Sequence, residues 1–451
     1  MILGLAVFFR FFRLFDFQFW SVDEEIFVAV VRQVAVNHKL ILTSPNVAIG
    51  VSLGSFFHLF SAPIFLLAGL TASKILIAGS ILGVITTLAV YKTGKELGGI
   101  FVGRVAAFLY ASSFLVSFSD RRWWPLTPDP LLATLSIYAV AKIIKGKYIY
   151  ALLLAICASF SWHSDPSLSV IIVFAGLFAV IYKIPLFKKE YLPTVGYLLL
   201  SVAPFLIFEL RHPGAITHPL FELITGSRGE VTRSLNLLEI LRGFTRGLFL
   251  TPGNDIEKYF LYTKTYPAPF LSPFSEILTA VLLIFPLWIK KSKARIIYLF
   301  IAAFLTGVAI FSLGMGSEFH LYYFVVVWPA FFLLIAMGLQ KINKIFVYIF
   351  LSIFLVANLS TLLFSSMRYP LVTKESAVEK VLPKTNEPFA LIVKDDGRYF
   401  EGIGGLFFLK NRFPSNLGYY YAWDWIYRAY SLYEVLPTNE PIKNTIILTP
   451  L

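Results

Sequence analysis

Three groups of ionisable and aromatic residues stand out, each placed at the end of an apolar run. The first is Ser21-Val22-Asp23-Glu24-Glu25. A serine with a glutamate three residues later reads as a capping box, with Ser21 as the N-cap and Glu24 as its partner. Acids in a first helical turn also complement the helix dipole. These roles account for Glu24 and in part for Glu25. They leave Asp23 without a structural duty, so its carboxylate is a candidate general base, with Glu24 beside it. The second group is Ser119-Asp120-Arg121-Arg122-Trp123-Trp124-Pro125, followed by Thr127-Pro128-Asp129-Pro130. Arginines at a span end can snorkel and tryptophans can anchor. Arg121 and Arg122 can equally grip a phosphate with planar forks, while the faces of Trp123 and Trp124 can stack on a sugar ring. Asp120 and Asp129 are further acids, either of which could be the base if Asp23 only serves its helix. The third group comprises Trp162-His163-Ser164-Asp165, Glu209-Leu210-Arg211-His212 and Glu318-Phe319-His320-Leu321-Tyr322-Tyr323. His163 and Asp129, with Trp123 and Trp124, are candidates for sugar or acceptor binding, and Arg211 and His320 for the phosphate. The spacings match no compact metal motif of the HExxH kind. No cofactor is required by this pattern, and a divalent metal is not indicated.

The elements that position these residues must cross a membrane. The chain has 451 residues, 57% hydrophobic and only 14% charged, with a mean hydropathy of +0.74. Soluble domains run near 45–50% apolar and about 25% charged. A bilayer accommodates the excess, each crossing taking roughly 20 apolar residues. Eleven spans are expected, near 1–19, 74–91, 100–118, 126–142, 148–162, 167–183, 191–209, 275–289, 295–312, 320–339 and 343–364. Alternate loops then carry the cations: Lys92 and Lys95; Lys142, Lys145 and Lys147; Lys183, Lys188 and Lys189; Lys290, Lys291, Lys293 and Arg295; Lys341 and Lys344. Such loops stay cytoplasmic. The net charge of +13 is therefore a topology signal and argues against a nucleic-acid partner. The single cysteine, Cys157, rules out an intrachain disulfide. The first segment lacks the basic start and small-residue cleavage site of a signal peptide.

The opposite, extracytoplasmic side receives segments 20–73, 119–125, 163–166, 210–274, 313–319 and everything after about 365. Residues 24–36 place Ile26, Phe27, Val30, Val31 and Val34 on one face, as in an amphipathic helix lying at the interface. Segment 53–70 contains His58 and Pro63 and is not read as a span, because crossing there would invert every later loop. After about 370 the charges balance, Phe389–Lys394 and Thr445–Leu448 read as strands, and Asp396-Gly397 as a turn. The division expected is a transmembrane domain over 1–365, with large outer loops 20–73 and 210–274, and a small α/β extracytoplasmic domain over 366–451. No internal repeat or low-complexity tract is visible.

Taken together the chain resembles the GT-C membrane glycosyltransferases. Among them it is similar to the protein O-mannosyltransferases, the aminoarabinose transferases acting on lipid A, and bacterial membrane proteins described as glycosyltransferase-39-like. The resemblance covers roughly residues 5–365. It rests on Arg10 and Arg13 ending the first span, on Asp23-Glu24 opening a long outer loop, and on Tyr91 to Leu97 after the second span. Arg122-Trp123-Trp124-Pro125, Pro204 to His212, and His320 to Pro329 add to it. One departure is Trp124, where the pattern Arg-x-Trp-Asn-Pro has asparagine. The resemblance implies a sugar carried on a polyprenyl or dolichyl phosphate, transferred with inversion to a protein, lipid or glycan acceptor at the outer face of the plasma membrane. It also implies Asp23 as the acidic base and Glu24 as its partner.

Two other classes compete. A transporter of a lipid-linked substrate would keep polar groups near the midplane and often shows repeats, whereas here the spans are almost free of acids. A non-catalytic scaffold of the same fold would look alike in sequence. The topology itself is testable. In a Cys157→Ser background, a cysteine at position 400 should be modified only from the non-cytoplasmic side and cysteines at 188 and 291 only from the cytoplasm. Labelling of position 400 from the cytoplasm alone would overturn the assignment.

Overall fold

The computed structural model describes residues 1–46, 51–185, 187–225, 237–250, 261–263, 271–288, 293–310, 321–367, 369–387, 389–393, 402–412 and 444–448. Its frame is helical. In chain order the helices are α1 (Ile2–Phe11), α2 (Val22–Ala35), α3 (Phe56–Leu67), α4 (Ala72–Gly98), α5 (Ile100–Ser112), α6 (Phe114–Ser119), α7 (Asp129–Ile144), α8 (Tyr150–His163) and α9 (Ser169–Ile181). There follow α10 (Leu192–Arg211), α11 (Thr217–Thr225), α12 (Leu237–Leu248), α13 (Leu271–Ile284), α14 (Ala294–Ala309), α15 (Trp328–Leu339), α16 (Lys344–Phe364), α17 (Leu371–Val381) and α18 (Ile403–Leu409). Three are long and apolar enough to cross a bilayer by length and composition: α4, α10 with the turn leading into it, and α16. Eight other apolar helices have 10–17 residues.

Each of the eleven expected spans contains helix, but several are interrupted, and the reasons are local. The first ends at Phe11 because Arg13 takes a left-handed φ of 52° and a short 3-10 turn follows at Phe15–Phe17. The expected span 100–118 breaks between α5 and α6, where Ser113 is extended. The Phe114 N–H then donates to Asn358 Oδ1 at 2.8 Å and Ser113 Oγ to the Gly247 carbonyl at 2.6 Å. The Asn358 side chain thus replaces the lost helical partner of the Phe114 N–H, which buried backbone requires. The late span beginning at 320 opens with a 3-10 turn, Leu321–Val326, before Pro329 starts α15.

The expected surface helix at 24–36 is a correction. The helix α2 is present, but apart from Asp23 both of its faces are largely buried: Phe27, Val28, Ala29, Val30 and Val31 are buried, and so are Glu24, Glu25, Arg32 and Gln33 on its polar face. It is therefore not an interfacial helix with a wet side. It packs between α3 and α18, with Phe27 against Phe57 and Phe65 at 5.0 and 5.7 Å between ring centroids. The 12-residue α3 is one of the shorter apolar helices.

Two cores result. The larger fills the space among α5, α7, α14 and α15. The smaller joins α2, α3, the start of α4 and Trp123 to Leu371, Val378, Phe389, Leu391, residues of α18 and Ile446. The C-terminal segment thus shares its core with segment 20–73. Its strands β5 (Phe389–Val393) and β6 (Asn444–Leu448) pair in parallel, Phe389 opposite Asn444. Four further short strands, β1 (Thr43–Asn46), β2 (Ser52–Gly54), β3 (Leu261–Thr263) and β4 (Ser365–Met367), form two antiparallel pairs, β1–β2 and β3–β4. The Asp396-Gly397 turn lies outside the described residues, as do 226–236, 251–260 and 264–270 of the second large loop.

The two ends of the bundle differ in charge. At one, Lys142 and Lys145 both pair with Glu96, and Lys293 donates to the Glu96 carbonyl at 3.3 Å. Three loops placed on one side by their cations therefore meet. Toward the other end, Arg10 of α1 is fully buried and ion-paired to Asp120 at 2.6 Å. The face of α4 is cut away to admit this pair. A Cβ on Gly83 would stand 2.4 Å from both Arg10 Nε and Asp120 Oδ2, and one on Gly79 would stand 1.9 Å from the Arg122 carbonyl oxygen. Removing one member of a buried ion pair costs roughly 3–5 kcal/mol because the other is left uncompensated. Asp120→Ala should therefore lower the thermal unfolding midpoint of the detergent-solubilised protein sharply, whereas Ser119→Ala should not. An unchanged midpoint for Asp120→Ala would contradict the pair.

Candidate active site

The capping box expected at Ser21 is formed. Glu24 Oε2 accepts from the Ser21 N–H at 2.9 Å and from Ser21 Oγ at 2.8 Å, and Ser21 Oγ accepts from the Asp23 N–H at 3.4 Å. The remaining oxygen, Glu24 Oε1, takes Arg122 Nε at 2.6 Å. Glu24 is 0% exposed and both of its oxygens are engaged. It therefore stands behind the site, and its charge holds Arg122.

Asp23 differs from its neighbour. Its side chain is 58% exposed and lies 3.9 Å from Arg122 Nη2. Although open on one side, it is surrounded by protein on the others. That desolvation, followed by the charge of Glu24, raises its pKa to about 6, Asp165 adding to the rise and Arg122 opposing it. An accessible carboxylate with a pKa nearer neutrality is matched to proton abstraction.

Arg122 is 8% exposed. Its guanidinium lies 3.5 Å from the Trp124 ring centroid and 4.4 Å from that of Phe19. Nη2 has no hydrogen-bond partner among the described residues. A buried cation with one edge unsatisfied, next to an accessible carboxylate, is prepared for an oxyanion.

Arg121 is turned elsewhere. Its Nη2 donates to the Phe9 and Phe12 carbonyls at 2.7 and 3.0 Å, closing the end of α1. Its charged neighbours are Arg10, Arg13, Asp16 and Asp120. Trp123 is also inward, donating to Ser61 Oγ at 3.0 Å and stacked near Phe57. Trp124 keeps one face for Arg122 and meets Tyr322 edge-on at 5.4 Å. His163 is fully buried, its Nε2 at 2.8 Å from the Ser201 carbonyl and its ring stacked on Phe56 at 3.5 Å. A Cβ on Gly54 would fall 1.8 Å from His163 Nδ1, so β2 presses directly on the ring. Asp120 is occupied by Arg10. Asp129 is 0% exposed and accepts from Ser167 Oγ at 2.8 Å. Neither is placed where an acceptor could reach it. Arg211 is exposed at the end of α10 and makes no ion pair among the described residues. His320 lies outside the described residues.

Asp165, Tyr322 and Tyr323 were missed as site residues. Asp165 caps the short turn Pro166–Leu168 by accepting from the Ser167 N–H at 2.8 Å, and its loop is tied to the arginine loop by Ser164 Oγ donating to the Pro125 carbonyl. Burial raises its pKa, and Ser167 opposes that rise. Asp165 acts electrostatically on Asp23, and both acids act on Tyr322 and Tyr323. The available signal was an acid and a tyrosine pair at outer span ends, and it was outweighed by the adjacent histidines. Among the described residues no group of three His, Cys, Asp or Glu side chains could hold a metal ion.

No protein-family model matches the sequence, and no curated protein does. Solved structures do match. ArnT from Cupriavidus metallidurans, bound to undecaprenyl phosphate, superposes with a TM-score of 0.60 at 11% identity over 96% of this chain and 87% of that one. Its apo state gives 0.60 at 12% identity with the same coverage. The Archaeoglobus fulgidus oligosaccharyltransferase AglB, in complex with an inhibitory peptide and a dolichol-phosphate, gives 0.49 at 14% over 92% and 63%. At such identities the likeness to ArnT is one of fold, and it extends over nearly the whole chain. The chain has the fold of the GT-C membrane glycosyltransferases.

Proposed function

We propose that this protein is a membrane glycosyltransferase that takes a hexosyl or pentosyl unit from a polyprenyl or dolichyl phosphate. The acceptor is a protein, lipid or glycan at the extracytoplasmic face of the plasma membrane. The observation that carries the reading is one accessible carboxylate, Asp23, 3.9 Å from Arg122 Nη2, an atom with no hydrogen bond among the described residues. The fold supports it, since ArnT in the same fold is bound to undecaprenyl phosphate.

In this reading Asp23 accepts the proton of the acceptor hydroxyl as the acceptor oxygen bonds to the anomeric carbon. The bond from that carbon to the phosphate oxygen breaks, and its electron pair leaves with the lipid phosphate. A single displacement of this kind inverts the anomeric centre. Arg122 offers Nη2 to the departing phosphate, its orientation fixed by Glu24 behind and Trp124 beneath. Arg211 and His320 join the phosphate site on chemistry and side alone. Arg121 contributes through the end of α1, and Trp123 and His163 through the walls. The reaction needs no cofactor for its balance.

The test is to incubate purified protein with radiolabelled undecaprenyl-phosphate sugars and score transfer or hydrolysis. Asp23→Asn keeps shape but removes the base, and the rate should fall about 10²–10⁴-fold with folding intact. Full activity in that variant would remove Asp23 from the role. Arg122→Gln should weaken donor use at least ten- to a hundredfold, about the size of one lost charge-assisted contact, and should also lower the unfolding midpoint because buried Glu24 loses its partner.

The pH dependence follows from the raised pKa. The base works only when deprotonated, so kcat/KM should rise with pH through about 6 and level off above it. Asp165 helps hold that pKa up, so Asp165→Asn should move the acidic limb to lower pH. A limb that stays in place would separate Asp165 from Asp23.

A further inference from the structure

The sequence flanking Asp23 is bound on both sides by the C-terminal segment. On the N-terminal side, the Leu371 N–H donates to the Gln18 carbonyl at 3.0 Å. The buried Lys374 Nζ donates to the Trp20 carbonyl at 2.8 Å, and Trp20 Nε1 donates to the Gly402 carbonyl at 2.6 Å. On the C-terminal side, Glu25 Oε1 accepts from the Gly405 N–H at 2.6 Å, and Arg32 donates to Asn411 Oδ1. Four of these contacts fall on residues 18, 20 and 25, which bracket Asp23-Glu24.

The approach is closer than any side chain would allow. Gly402 has a φ of +82°, and a Cβ there would stand 2.4 Å from Trp20 Cδ1 and 2.6 Å from the Ser21 carbonyl oxygen. Ser21 is the N-cap of the helix that carries Asp23. A Cβ on Gly405 would stand 3.0 Å from Glu25 Cγ and 3.1 Å from its Cα. Glycine at 402 lets the backbone take a left-handed turn against the cap, and glycine at 405 lets α18 lie directly on α2. The apolar groups behind these bonds complete the fit, with Ile403, Leu406 and Phe407 in one core with Trp20 and Phe27.

We propose that the C-terminal segment is a positioning clamp for the catalytic acid: through Gly402, Gly405 and Lys374 it grips Trp20 and Glu25 and thereby fixes where the Asp23 carboxylate stands. The proposal rests on the reading of Asp23 as the base and assigns the C-terminal segment a part in that chemistry. Glu25 and Trp20 are positioning residues, since neither needs to touch the substrate. Without the clamp the first turn of α2 would keep its capping box and the Glu24–Arg122 pair but lose the support behind Trp20 and Glu25 that fixes how the turn sits. A small displacement of a base is enough to cost about a hundredfold in rate.

The experiment uses the full chain in detergent and two independent readouts. Hydrogen–deuterium exchange of peptides covering residues 20–35 reports the clamp itself. Turnover of a radiolabelled undecaprenyl-phosphate sugar, with kcat and KM separated, reports its consequence. Gly402→Ala, whose Cβ would push on Trp20 and the Ser21 carbonyl, and Glu25→Ala, which loses the bond from the Gly405 N–H to a charged group, should each speed exchange at the start of α2 by about tenfold. Both should lower kcat with little change in the KM for donor. Glu25→Gln keeps an acceptor oxygen for the Gly405 N–H and should restore both readouts toward wild type. Unchanged exchange in Gly402→Ala and Glu25→Ala would overturn the clamp whatever the activity does. Faster exchange with an unaltered kcat would overturn the positioning role. The assignment of Asp23 as base is judged separately by Asp23→Asn, so failure of one reading is distinguishable from failure of the other.

Discussion

Glu24 and Arg122 form a buried ion pair on which the arrangement of the site depends. The two residues are 98 positions apart and meet at 2.6 Å. Taking both charges out of water is costly, and their attraction offsets that cost only when the remaining polar atoms are also satisfied. Glu24 meets the condition through the capping box of α2. Arg122 meets it in part, through the π faces of Trp124 and Phe19, and leaves Nη2 without a hydrogen bond among the described residues. The pair locks the first outer helix to the loop between α6 and α7. Asp23, one residue before Glu24, is carried to the edge of the same guanidinium. Loss of either partner would therefore disturb the helix cap, the loop and the base together.

Five acids in this region have been given different environments, and the environments separate their roles. Asp120 is paired with Arg10 and Glu24 with Arg122, so both serve the frame. Asp129 and Asp165 share Ser167, one through its hydroxyl and the other through its N–H. Of these five, Asp23 alone combines accessibility with an adjacent cation. The same residue type thus serves as a strut, a cap or a reactive group according to burial and partner. Asp165 sits between these classes: it caps a turn, yet its charge reaches Asp23 and so tunes the group beside it.

The smaller core explains why the chain after 365 belongs with the first loop. Leu371, Val378, Phe389, Leu391 and Ile446 bury their apolar groups against α2, α3 and Trp123. Among the described residues of that segment are a parallel two-stranded sheet and two short helices, and their apolar side chains lie in a core shared with α2. The same contact gives the membrane frame a lid on the side where the acids gather, while the cationic loops close the other end around Glu96.

Much of this was legible in the sequence. The serine and glutamate of the cap lie three residues apart, and such i to i+3 relations are fixed by helix geometry alone. The same holds for strands β5 and β6, read from short β-rich runs, and for Asp23 as the acid left over by the cap. The alternation of cationic loops follows from the bilayer, which acts on each loop separately. What only the tertiary structure decided are pairings across 98, 110 and 380 residues: Glu24 with Arg122, Arg10 with Asp120, and Glu25 with Gly405. Adjacent residues in a turn face different directions, so spacing could not say that Arg122 faces Asp23 while Arg121 closes α1. Nor could periodicity show that the polar face of α2 is buried, because a charged stripe looks the same whether its partner is water or another helix. Local geometry is written in neighbouring residues, whereas the partner of a buried charge is chosen only when distant segments meet.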